Sequence, residues 1–117
     1  MSVSYYILIY NDHNKHNTPY INNLLESAKE WGKEFKIILF DKKHIDPAFM
    51  NEHKSIFKEQ RGGGYWIWKP YIILETLKSV KENDIVFYLD AKYLFINNFY
   101  ETIKKSMQHN DILVWKN

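Results

Sequence analysis

Four short apolar runs punctuate this chain: YYILIY at Tyr5–Tyr10, KIILF at Lys36–Phe40, IVFYL at Ile85–Leu89 and ILVW at Ile112–Trp115. They are rich in aromatic and β-branched residues, and they lack the polar alternation of a strand with one wet face. Such runs read as strands buried on both sides. The first three are stopped by polar residues, Asn11 and Asp12 after the first, Asp41 after the second and Asp90 after the third.

The stretches between the runs carry helical spacing. Thr18 before Pro19 predicts an N-cap with proline at the first helical position. Ile21, Leu24, Leu25, Ala28 and Trp31 then recur at helical intervals up to Gly32. Strand, helix and strand of this length make a right-handed parallel unit. Asp46 to Lys58 predicts a further helix capped by Asp46, with Phe49, Met50, Ile56 and Phe57 on its apolar side and a gap in the middle turn. After Gly62 to Gly64, read as a hinge, Pro70 predicts the start of a helix whose inward face is Ile73, Leu74, Leu77 and Val80, ending at Asn83. Phe99, Ile103 and Met107 predict the last helix, capped by Asn97 or Asn98.

Strands alternating with helices imply an α/β fold, a mostly parallel sheet with helices on both faces. The 117 residues, with no second composition block or repeat, fit one domain. In such a sheet the loops after Tyr10, Phe40 and Leu89 leave from one edge, which gathers Asn11, Asp12, Asp41, Asp90 and Lys92 where open α/β sheets take their ligands. A net charge of +2 is too small to suggest a nucleic-acid surface. With no cysteine there is no disulfide and no thiolate metal site, and no apolar stretch is long enough to span a bilayer, so a soluble cytoplasmic protein is expected. Aromatic residues make up 17% of the chain, more ring surface than a core of this size needs, which points to rings at a binding surface.

The segment Arg61 to Asp90 holds the richest chemistry. Asp90 closes an apolar strand, where a carboxylate suits a hard divalent cation. The competing reading is a cap for the loop beginning at Ala91. Lys69 precedes Pro70 and can reach anions at a helix N-terminus, with Arg61 as an assistant, against the plainer reading of both as solvated charges. Trp66 and Trp68, two apart in a stretch read as extended, would point one way and Tyr65 and Ile67 the other, one pair core and the other pocket. RGGGYW lacks the GK[ST] ending of a phosphate-binding loop, and HNKH at His13–His16 is too polar for a helical zinc motif.

GYWIWKP, followed by an amphipathic helix and DIVFYLDA, resembles the nucleotide-sugar half of glycosyltransferases with the GT-A fold, in which a strand ending YLDAD or YLDAG carries the DxD-type motif. The likeness is sharpest from Gly64 to Ala91. It implies a minimal GT-A, Rossmann-like fold over residues 1–117 without the acceptor half. It also implies a UDP-sugar donor and Mn²⁺ or Mg²⁺ held by Asp90, with Lys69 and Arg61 on phosphate. By the same resemblance Tyr10, Asn11 and Asp41 contact base and ribose, and Trp66 and Ala91 line the donor pocket. Lys92 stands where the family has its second Asp or a Gly, so a metal-independent site in which Lys92 supplies positive charge is the alternative, and Asp90 and Lys92 are the expected catalytic pair.

The function expected from this resemblance is a glycosyltransferase of hexosyltransferase type that transfers the sugar of a UDP-sugar to an unidentified acceptor, or slowly hydrolyses it. The alternative is a non-catalytic nucleotide-sugar-binding module completed by a partner chain or a second copy. A third class, a single-strand nucleic-acid binder stacking bases on Tyr65, Trp66 and Trp68, is disfavoured by the small net charge.

Overall fold

The computed structural model describes residues 3–59 and 67–112. The hinge at Gly62–Gly64, the side chains of Arg61, Tyr65 and Trp66, and the run from Leu113 to Trp115 lie outside the described residues. The strands β1 (Tyr5–Tyr10), β2 (Phe35–Phe40) and β3 (Ile85–Leu89) fall on the first three apolar runs. They form a three-stranded all-parallel sheet in the order β2-β1-β3, with Ile7 opposite Ile37 on one side and Phe87 on the other. Ile112 is exposed and in no strand.

β1 has a partner strand on each side and is buried on both faces, whereas β2, expected to be buried on both sides, is an edge strand whose Ile37 and Leu39 are 39% and 41% exposed. Ile7 and Ile9 meet Leu24 and Ala28 of α1 (Thr18–Trp31) and Ile103, whereas Leu8 and Tyr10, one residue out of phase, meet Ile45, Trp68 and Ile72. The pleat thus divides one strand between two cores, with helices on both faces. Ile7, Leu8 and Ile9 are fully buried, and burial of each is worth roughly 1.5–3 kcal/mol.

Several helix boundaries differ from the sequence expectation. Asn17, not Thr18, occupies the cap position of α1, because a turn at Asn14 already winds into the helix: Thr18 donates its backbone N–H and its hydroxyl to the Asn14 carbonyl. A short 3₁₀ turn, Lys42–His44, follows β2. The expected helix from Asp46 to Lys58 is broken at His53 into α2 (Pro47–Glu52) and α3 (Lys54–Phe57), consistent with its missing apolar turn. Its cap is as expected, Asp46 accepting from the Ala48 N–H.

The fourth helix, α4 (Trp68–Ser79), departs most. It begins two residues before Pro70, which sits in the first turn where a missing N–H costs nothing, and it ends before Val80 rather than at Asn83. Asn83 lies in the following turn at φ 75, a left-handed conformation that asparagine tolerates. The buried face is Trp68, Ile72 and Thr76, while Leu74 and Leu77, expected inside, are 51% and 52% exposed. Apolar residues surround this helix, so its periodicity does not choose a stripe; Trp68, stacked on Tyr10, fixes the rotation. Thr76 is accommodated by donating its hydroxyl to the Ile72 carbonyl at 2.7 Å. In the last helix, α5 (Tyr100–Ser106), Phe99 and not Asn97 or Asn98 occupies the cap position, with Asn98 beside it accepting from the Tyr100 N–H.

Candidate functional site at the carboxyl edge

The chain passes from β1 to β2 on one side and then crosses to β3 on the other, and both α1 after β1 and Phe95 with α5 after β3 pack on the same face of the sheet. Parallel open sheets take ligands at the carboxyl ends of their strands. Three loops leave this edge, and their polar residues divide into two kinds.

The first kind serves its own loop. Asn11 donates its backbone N–H to Phe40 and accepts from the His13 N–H through Oδ1 at 2.8 Å. Asp12 accepts from the Asn14 N–H and from the Asn17 amide, each at 2.8 Å. Asp41 accepts from the Lys43 N–H at 2.9 Å and from His13 Nε2 at 3.1 Å, which ties the β1 and β2 exits together. The His13 hydrogen bond is the main cause that holds the Asp41 carboxyl below the usual aspartate range, with the Lys43 N–H adding to it. His44 Nδ1 accepts the Asp41 N–H at 3.0 Å, completing a reciprocal cap.

Asp90 is of the second kind. Its backbone carbonyl takes the Tyr93 N–H of the following turn, but among the described residues its carboxylate accepts no loop N–H. Oδ1 instead accepts the Tyr88 hydroxyl at 2.7 Å and lies 3.3 Å from Lys69 Nζ. The side chain remains half exposed, at 51%, with Lys69 at 35%. Lys69 occupies the first turn of α4, an end with no side-chain cap and no acidic residue, where backbone N–H groups and the helix dipole favour an anion. Its ammonium also lies 5.2 Å from the Tyr88 ring centroid and 5.9 Å from that of Trp68.

The core beneath this edge is aromatic. Trp68 stacks on Tyr10 with centroids 3.9 Å apart and an interplanar angle of 13°. Trp68 is helical and largely buried, so it does not lie in an extended stretch as the sequence suggested. Burial, with the charges of Asp12 and Asp41 behind it, pushes the Tyr10 phenol up to about 12. Burial is also the first cause that raises the Tyr88 phenol, and the hydrogen bond to Asp90 adds to it. Both phenols are neutral donors at physiological pH.

Tyr10, Asn11, Asp41 and Asp90 stand at the carboxyl ends of their strands, with Lys69 paired to Asp90 and Ala91 beginning the turn. Lys92 lies 5.8 Å from the ring centroid of Tyr20 on α1, and the ammonium that pairs with Asp90 is that of Lys69. Arg61 and Trp66 lie outside the described residues. Sequence reasoning missed Tyr88, although its place two residues before Asp90 put both on one face of the strand end. It also missed His13 as the partner of Asp41, a contact between loops that no local pattern announces.

Among the described residues no group of three or more His, Cys, Asp or Glu could hold a metal ion by itself. No helix among them is long and apolar enough to cross a membrane. Comparison with protein-family models, with curated proteins and with solved structures gives no match.

Proposed function

We propose that this chain is a GT-A-like glycosyltransferase domain that binds a UDP-sugar at the carboxyl ends of β1 and β3. The observation that carries the reading is the Lys69–Asp90 pair, an ammonium and a carboxylate 3.3 Å apart at the carboxyl end of β3. A nucleotide diphosphate needs both: a cation for its own charge, and an oxygen ligand for the divalent ion that accompanies it. The buried Tyr10–Trp68 stack beneath the pair holds the first turn of α4 against β1 and so sets the position of Lys69.

The donor chemistry fits Mg²⁺ or Mn²⁺. Such ions are commonly held by one or two carboxylates together with substrate phosphates. Asp90 would be that carboxylate, and the ion would neutralise the diphosphate as a leaving group. Lys69, in the first turn of α4, draws the phosphates to the helix end. Tyr10, kept neutral by burial, donates rather than repels beside an anionic ligand.

Calorimetric titration of UDP with and without Mn²⁺ tests the reading. Saturable binding that strengthens with Mn²⁺ and loses that strengthening in Asp90→Ala is the expected outcome. No UDP binding under either condition sinks it. Binding of a UDP-sugar without release of its sugar, in the presence of acceptor candidates or water, would favour the binding module completed by another chain.

A further inference from the structure

We infer that Tyr88 is the positioning residue of this edge: its hydroxyl fixes the Asp90 side chain in one rotamer and takes up Oδ1, so that Oδ2 is the oxygen presented to a cation or to a ligand hydroxyl. The inference rests on the nucleotide-sugar reading for what Asp90 holds, but not for how Asp90 is held.

The geometry carries it in three steps. Tyr88 is the penultimate residue of β3, two before Asp90, so its ring lies on the same side of the strand end as the carboxylate. That ring packs against the core cluster containing Leu8, Tyr10, Trp68 and Ile72, which makes it a rigid base for its hydroxyl. The hydroxyl donates to Asp90 Oδ1 at 2.7 Å, the length of a charge-assisted bond.

Lys69 reaches the same oxygen at 3.3 Å, but from a flexible stem that is partly solvated. Of the two partners, only the tyrosine is anchored in the core. An exposed aspartate otherwise samples several side-chain rotamers. A half-exposed carboxylate at the end of a strand would therefore present its oxygens in varying directions, whereas a metal–diphosphate site needs one direction. Lys69 is the group free to exchange Oδ1 for a phosphate; Tyr88 is the group that stays.

The test begins without ligand. Three-bond NMR couplings about χ1 of Asp90 should report a single rotamer in the wild type and in Lys69→Met, and averaging in Tyr88→Phe. A single rotamer in Tyr88→Phe, or averaging in the wild type, overturns the assignment. Averaging in Lys69→Met with an ordered Tyr88→Phe transfers the role to the lysine.

The second readout is UDP affinity. Tyr88→Phe should weaken UDP binding in Mn²⁺ by about five- to tenfold, the scale of one hydrogen bond, and should have no further effect in an Asp90→Ala background. An equal loss in that background shows that Tyr88 acts through packing instead. Failure of the wild type to bind UDP, with the coupling result intact, would sink the nucleotide reading and leave the positioning role standing.

Discussion

Two lysines flank the candidate site, and the structure separates them. Lys69 pairs with Asp90 from the first turn of α4, whereas Lys92 is turned to the Tyr20 ring. An ammonium at a helix end acts on phosphate charge and not on a base. Lys69→Ala should therefore weaken UDP binding by about tenfold or more, since hydrogen bonds to charged groups are worth roughly 1.5–3 kcal/mol, while leaving uridine binding nearly unchanged. Lys92→Ala should leave metal-free UDP affinity within about twofold, because a surface charge away from special contacts shifts energies by at most about 0.5 kcal/mol. Equal losses of UDP and uridine in Lys69→Ala, or a large loss in Lys92→Ala, would reverse these roles. The strand-exit acids and amides were legible in the sequence as a set, because each terminates an apolar run. Their division into loop-serving and ligand-facing groups was not, because it depends on contacts such as Tyr88 to Asp90 and His13 to Asp41.

At the scale of the element, the rotation of α4 decides which of its side chains reach the candidate site. Its burial of Trp68, Ile72 and Thr76 places Trp68 against Tyr10 and Lys69 beside Asp90. Rotating the helix to bury Leu74 and Leu77 instead would carry Trp68 off Tyr10. Ile72→Ala should therefore cost about 2–5 kcal/mol of stability, whereas Leu74→Ala, at a position 51% exposed, should cost well under half of that. Urea unfolding of the two variants gives the comparison, and a larger loss in Leu74→Ala would restore the face read from the sequence. That reading went astray because Tyr71, Ile73, Leu74 and Leu77 lie alongside Trp68 and Ile72, so several stripes are apolar and only the partner surface selects among them. For α1 the single apolar stripe of Ile21, Leu24 and Ala28 left no such choice, and those residues are buried as expected.

For the whole molecule, stability depends on charge at both ends of the pH scale. Burial raises the Tyr10 phenol from its ordinary value of 10.0 to about 12. Between those values the unfolded chain has lost the proton that the folded chain keeps, so stability present below pH 10 is lost as pH rises toward 12. Thermal melts between pH 8 and 11.5 should show this fall, and Tyr10→Phe should lessen it without abolishing it, because burial also raises the Tyr88 and Tyr5 phenols; an unchanged slope would place the alkaline loss elsewhere. Asp41, held low by the His13 hydrogen bond, contributes with the opposite sign: its share is present above the ordinary carboxyl range and is lost as pH falls through the folded value. The sequence alone determined the three strands, the parallel α/β class and the edge at which polar residues collect, because strand burial and helical spacing are written in local periodicity. Only the tertiary structure decided the strand order β2-β1-β3, the buried stripe of α4, and the meeting of Lys69, Tyr88 and Asp90. Each of these follows from which surfaces pack together, and packing between distant segments leaves no local pattern in the chain.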